Sequence, residues 1–266
     1  VNWFDLVVLA ILQGLTEFLP VSSSGHLVIA MAVLEKAGHQ ILAPISVNIA
    51  LHIGTLAATV AYFRRQLWDL LWKDRRTLSL VILATIPAVV IGVPVRKLAP
   101  SILESPWIAA FGLLGTGVLL LAAQRRATGQ RQFVGLRWTE ALVIGCFQAL
   151  ALLPGISRSG SSIAGGIFCG LAPGEAAVFA FLLAVPVMVG AGLLEAVELL
   201  SVQEVSPPWL QLLWAAALAG LVGWWAIAWL LHWVRTGRLG LFAVWVLVLG
   251  SATLFWLTLV ALGYLG

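Results

Sequence analysis

Charge is what this sequence has least of: Asp, Glu, Lys and Arg together make up 10% of its 266 residues. A soluble domain carries roughly a quarter of such residues, so the scarcity excludes one. Cysteine and tyrosine are rare as well, at two residues each. Cys146 and Cys169 both fall in apolar stretches without metal-like spacing, so neither a disulfide framework nor a zinc site is expected. The opening Val1-Asn2-Trp3-Phe4-Asp5 has no basic segment and no small-residue cleavage site, and a removable signal peptide is not expected either.

What is abundant is apolar: 61% of the residues, with a mean hydropathy of +1.04. The 13 Trp and 26 Gly fit a polytopic membrane protein, because Trp collects at membrane interfaces and Gly lets helices approach closely in lipid. The net charge of +4 does not point to nucleic acid, since the basic residues sit in short loops between apolar runs.

A helix needs about 20 apolar residues to cross a bilayer. Six stretches approach or meet that length: 42–63, 77–95, 107–123, 175–200, 209–231 and 241–262. Two further regions are apolar but broken. Trp3 to Leu19 runs into Pro20-Val21-Ser22-Ser23-Ser24-Gly25 and a short piece ending near Glu35-Lys36; Thr139 to Leu153 runs into Pro154-Gly155-Ile156-Ser157-Arg158-Ser159-Gly160 and a piece ending at Leu171. Pairs of short helices joined by a surface loop are one reading. Re-entrant helical hairpins fit better, because a Gly-, Ser- and Pro-rich tip cannot face lipid with its backbone groups unpaired.

Aligning Ser22-Ser23-Ser24-Gly25 with Ser157-Arg158-Ser159-Gly160 gives an offset of 157 − 22 = 135, which also carries Gln13 onto Gln148 and Gly115 onto Gly250. The expectation is a single membrane domain built from two repeats, 1–133 and 134–266, each with one hairpin and three spans. Three crossings are odd in number, so the second repeat enters the membrane inverted. The fold class expected is therefore all-α integral membrane, with six transmembrane helices plus two re-entrant hairpins as inverted-topology repeats. The charges orient it. Arg64, Arg65, Lys73, Arg75, Arg76, Arg125, Arg126, Arg131, Arg137, Arg235 and Arg238 fall on one side, against Lys36, Arg96 and Lys97 beside Glu35, Glu104, Glu198 and Glu204 on the other. The first side is then cytoplasmic, and both termini and the functional cavity face outward.

Ionisable residues at membrane depth are costly and so point to function. Glu17, His26, His52 and Arg158 qualify. Arg158 stands among Ser157, Ser159 and Ser162 at the start of a short helix, where hydroxyls, backbone N–H groups and a guanidinium fork make an anion site of the phosphate type. The bland reading is a structural Arg158–Glu17 salt bridge. Glu17, one helical turn after Gln13, has the chemistry of a cation ligand or general base. Ser23 is the hydroxyl best placed as a nucleophile, and His26 is either an acid–base group or a packing residue. For His52, inside a long span, the packing reading is favoured.

The stretches Gln13-Gly14-Leu15-Thr16-Glu17-Phe18-Leu19-Pro20-Val21-Ser22-Ser23-Ser24-Gly25-His26 and Leu153-Pro154-Gly155-Ile156-Ser157-Arg158-Ser159-Gly160 resemble the two signature motifs of the bacterial undecaprenyl pyrophosphate phosphatase family, also called bacitracin-resistance proteins. Gly145-Cys146-Phe147-Gln148 and Phe181-Leu182-Leu183-Ala184-Val185-Pro186 are similar to the family too, so the resemblance spans the chain. It implies a plasma-membrane enzyme that removes the terminal phosphate of undecaprenyl diphosphate and regenerates the carrier lipid of peptidoglycan synthesis. It also implies a divalent cation, magnesium or calcium, held at Gln13 and Glu17, with Gln13 as a neutral variant of the family's first acidic position. Phosphate contacts would come from Ser22, Ser24, Ser157, Arg158, Ser159 and Ser162, and catalysis from Glu17, Ser23, His26 and Arg158. Attack by Ser23, by His26 or by metal-bound water all stay open. The partners expected are a polyprenyl diphosphate and the bilayer, with no nucleic acid; oligomeric state is not legible. A secondary transporter or lipid flippase is the rival, since broken helices in inverted repeats also build transporters.

Overall fold

Apolar side chains that repeat all around a helix have no aqueous face to offer, and that is how the long elements of this chain are composed. The computed structural model describes residues 2–36, 44–201 and 207–264, and of Pro44, Arg96, Lys97 and Pro100 it describes the backbone alone. Of the positions invoked above, Val1, Leu42 and Glu204 lie outside the described residues, as do the side chains of Arg96 and Lys97.

Among the described residues the fold is all-helical: α1 (Trp3–Thr16), α2 (Ser23–Lys36), α3 (Pro44–Tyr62), α4 (Arg64–Trp72), α5 (Arg75–Leu98), α6 (Pro100–Leu103), α7 (Pro106–Arg125), α8 (Trp138–Leu150), α9 (Arg158–Phe168), α10 (Pro173–Ser201), α11 (Trp209–Arg235) and α12 (Gly240–Ala261). Six of these, α3, α5, α7, α10, α11 and α12, are long and apolar enough to cross a membrane, and they coincide with the six expected stretches. Large apolar side chains such as Val118, Leu193 and Leu221 stand exposed on them, as suits helices whose outer solvent is lipid. By contrast α1 and α2, at 14 residues each, α8 at 13 and α9 at 11 are shorter than a bilayer requires.

The stretch expected to be a basic loop after the first span is instead helical. In α4, Leu70 turns into the core while Trp68, Leu71 and Trp72 are exposed. Its Arg64, Arg65 and Asp69 lower the mean hydropathy and hide that amphipathic pattern.

The link from α7 to α8 is tied down by two arginines. Arg76 donates to the carbonyls of Val134 and Leu136. Arg131 forks onto Glu140 with Nη1–Oε1 at 2.9 Å and Nη2–Oε2 at 3.1 Å, and also reaches the carbonyls of Cys169 and Gly135. With Arg131 bonded to it and the Arg137 N–H donating as well, the Glu140 carboxyl is lowered from its ordinary 4.5 to about 2.

Small residues let the short elements press into the bundle. Gly155 has φ +86, and a Cβ there would run into the Ala109 carbonyl of α7. Gly155→Ala should cost roughly 2–4 kcal/mol from left-handed backbone and overpacking together, read as a lower thermal midpoint in detergent. An unchanged midpoint would mean that residues 154–157 do not pack against α7 as described.

Candidate functional site

Each short helix pair turns through a tip that is polar and nearly buried. In the first, α1 ends at Thr16 and the chain passes Glu17 to Ser22 before α2 starts at Ser23. Ser22 has φ 70, the one positive value outside glycine among the described residues, a conformation costly for any residue with a Cβ. In the second, α8 ends at Leu150 and α9 starts at Arg158, capped by the Ser157 hydroxyl, which accepts from the Gly160 N–H at 3.1 Å. The first tip repeats that bond at the same offset: Ser22 Oγ accepts from the Gly25 N–H at 3.3 Å. Hydroxyl pairs recur likewise, Ser22–Ser24 at 3.3 Å and Ser157–Ser159 at 3.2 Å.

The two tips touch. A Cβ on Gly25 would meet the Cα of Gly155 at 2.8 Å, and the Ser159 hydroxyl donates to the Leu19 carbonyl at 3.0 Å. Thr116 of α7 braces the second tip, donating to the Gly155 carbonyl at 2.8 Å and accepting from the Ser157 N–H at 2.9 Å.

Glu17 is where the chemistry gathers. It is 6% exposed. Its Oε1 receives the Arg158 guanidinium in an ion pair; its Oε2 accepts from Ser23 Oγ at 2.5 Å and from Gln13 Nε2 at 3.0 Å. A buried carboxylate survives only with such partners. Glu17, Ser23, Gln13 and Arg158 are therefore one hydrogen-bonded cluster drawn from both tips. The salt bridge and the anion-site readings of Arg158 are compatible, because a guanidinium with 20% of its side chain exposed keeps donors for an incoming oxyanion.

Other expected residues are placed differently. Ser162, 1% exposed, lies against Gln148 Oε1 at 3.5 Å, one helical turn below the tip. Ser157 and Ser159 spend hydroxyl bonds on capping and on tip contact, so they shape the site more than they line it. Ser24 is exposed. His26, the candidate acid–base or packing residue, has its described partners away from the Ser23 hydroxyl. Nδ1 meets the Ser22 carbonyl at 2.7 Å and Nε2 accepts from the Trp245 indole N–H at 2.9 Å. Both ring nitrogens are therefore engaged by groups other than Ser23 Oγ. His52 bonds the Asn48 carbonyl at 3.0 Å and lies 3.9 Å from Glu195, within α3 and α10.

Gln13 bears on the expected cation. Its Nε2 donates to the Glu17 carboxylate, while its Oε1 is buried without a hydrogen-bond partner, and an amide oxygen together with a carboxylate is donor chemistry that suits a hard divalent ion. No cluster of three or more His, Cys, Asp or Glu occurs among the described residues, so an ion there would need substrate or water oxygens as its other ligands, the usual habit of magnesium.

Sequence reasoning missed Thr116, Glu195 and Trp245. Glu195 had a signal, a carboxylate six residues before the end of a 29-residue apolar helix. Trp245 had none, since its partner is 219 residues away.

A family model described as "Bacitracin resistance protein BacA" matches residues 6–252. An undecaprenyl-diphosphatase of Rhodopirellula baltica is 43% identical over 248 residues, covering 92% of this chain and 94% of the relative. One from Desulfatibacillum aliphaticivorans is 36% identical over 276 residues, covering 95% and 98%. One from Corynebacterium efficiens is 38% identical over 280 residues, covering 99% and 92%.

Proposed function

The chain belongs to the bacitracin resistance protein BacA family and is a multi-pass membrane undecaprenyl-diphosphatase; from that premise we propose that it hydrolyses its lipid diphosphate where the two tips meet. The family membership sets aside the transporter reading. The single observation that carries the placement is the Glu17 carboxylate held between Ser23 and Arg158.

In the reaction we propose, the terminal phosphate binds at Arg158 and the N-terminus of α9, where cationic and backbone donors stabilise charge on the phosphoryl oxygens. Ser23 Oγ attacks the terminal phosphorus and Glu17 Oε2 takes its proton. Undecaprenyl monophosphate leaves with the electrons of the broken P–O bond. Glu17 passes the proton it took to the departing monophosphate; water then attacks the phosphoserine, giving a proton to Glu17, which returns it to Ser23 Oγ as that P–O bond breaks and inorganic phosphate leaves. Gln13 and Glu17 would hold a divalent cation, which when bound offsets the negative charge of the diphosphate. Released monophosphate would return to peptidoglycan synthesis as carrier lipid.

The same reading makes α1/α2 and α8/α9 re-entrant hairpins within one membrane domain of two inverted repeats. Helix starts support it: Trp3 and Trp138, then Ser23 and Arg158, lie 135 residues apart. Packing supports it as well, for α1 rests on α11 as α8 rests on α5, and α3 on α11 as α10 on α5. At that offset Ser23 corresponds to Arg158, so equivalent positions meet Glu17 with different chemistry. Both termini and the cavity would face outward, opposite the arginine-rich ends.

The test is phosphate release from a prenyl diphosphate by the purified protein in detergent, with no second compartment. Release is expected, and excess chelator should suppress it by about tenfold or more. Full activity in chelator would remove the cation.

A further inference from the structure

The two bonds of His26 fix its ring. A carbonyl cannot donate, so at 2.7 Å from the Ser22 oxygen Nδ1 must carry the proton. An indole N–H cannot accept, so Nε2 must offer its lone pair to Trp245. The two ring planes are inclined to each other by only 11°. His26 also donates its backbone N–H to the same Ser22 carbonyl, at 3.2 Å. One peptide oxygen is thus gripped twice by one residue, and it belongs to the residue with φ 70. The next residue is Ser23, whose hydroxyl meets Glu17 at 2.5 Å.

Trp245 does not belong to the packing face of its helix. α12 buries Phe242, Ala243, Val246, Gly250 and Thr253, whereas Trp245 is 55% exposed. It reaches aside to a histidine that is itself only 6% exposed. A backbone conformation that sterics disfavour persists only where surrounding contacts over-determine it, and Trp245, His26 and the Ser22 carbonyl form a strut from α12 to that conformation.

We propose that Trp245 is a positioning residue of the phosphatase: through His26 it holds the Ser22 turn in the conformation that places the Ser23 hydroxyl on Glu17. The inference rests on the reaction assigned above. It gives His26 a mechanical role, with its proton held on Nδ1 throughout turnover.

Trp245→Phe keeps the aromatic ring and deletes the N–H. In the purified full-length protein with a prenyl diphosphate, kcat should fall about tenfold to a hundredfold, the scale of a small misplacement of a reacting group, while KM stays within about twofold. The second readout does not depend on turnover. The chain has four histidines, so imidazole 15N spectra are tractable, and the signal lost in His26→Asn identifies His26. Wild type should place its proton on Nδ1, with Nε2 in acceptor form; Trp245→Phe should move the Nε2 resonance. His26→Asn, whose amide nitrogen stands near the Nδ1 position, should retain more turnover than His26→Ala. A His26 protonated on Nε2 in wild type, normal kcat in Trp245→Phe, or equal loss in the two His26 variants would each overturn the strut. Absence of phosphate release from wild type would instead remove the phosphatase reading, with the tautomer result still deciding the strut.

Discussion

Arg158→Ala is expected to cut phosphate release from a prenyl diphosphate by about a thousandfold or more, the range seen when a positioned cationic donor is taken from a phosphoryl-transfer site. Two losses are folded into that figure. The substrate loses its guanidinium, and Glu17 loses its buried counter-charge, which alone destabilises a site by about 3–5 kcal/mol. A double variant separates them. Combining Arg158→Ala with Glu17→Gln removes both charges, so the thermal midpoint should recover toward wild type while activity stays absent. His52→Ala serves as the comparison, because its bonds run to Asn48 and Glu195, and its effect on turnover should be far smaller. Near-normal turnover in folded Arg158→Ala protein would remove Arg158 from phosphate binding.

Glu17→Gln carries the second large effect. The amide keeps the shape and still accepts a hydrogen bond from Ser23 through its oxygen, yet it cannot take a proton. If Glu17 is the base for Ser23, kcat should drop by about a hundredfold to ten-thousandfold, the typical contribution of a general base. The variant should also lose sensitivity to chelator, since one of the two proposed cation ligands becomes neutral. A Glu17→Gln protein with normal kcat would assign the proton transfer to another group.

Much of this architecture was legible because membrane segments announce themselves by length. The six long helices fall where unbroken apolar runs fall, and Trp209 begins α11 where the run begins. The tips were legible for a related reason: Pro20 to Gly25 and Pro154 to Gly160 interrupt apolar runs with residues that lipid does not tolerate. Glu17 and Arg158 followed, being charges that a bilayer makes expensive. Contacts between distant helices were not legible. The His26–Trp245 bond joins residues 219 apart, and neither local periodicity nor composition records which face of α12 turns toward α2. Thr116 reads as one hydroxyl in an apolar span until the second tip is seen resting on it. The serines were legible as donors suited to phosphate, but their partners in the fold were not: Ser157 caps α9, Ser159 reaches the Leu19 carbonyl of the other tip, and Ser162 faces Gln148 of α8.

The fork of Arg131 on Glu140 bears on how the molecule tolerates acid and surgery. With the Glu140 carboxyl held at about 2 instead of 4.5, its contribution to stability is complete above its ordinary value and fades only as pH falls toward 2. The segment it fastens is the link from α7 to α8, the place an engineer would first choose for a tag or a split. Because Arg76 and Arg131 stitch that link to α5, α8 and the end of α9, added length there would pull on the helix that begins with Arg158.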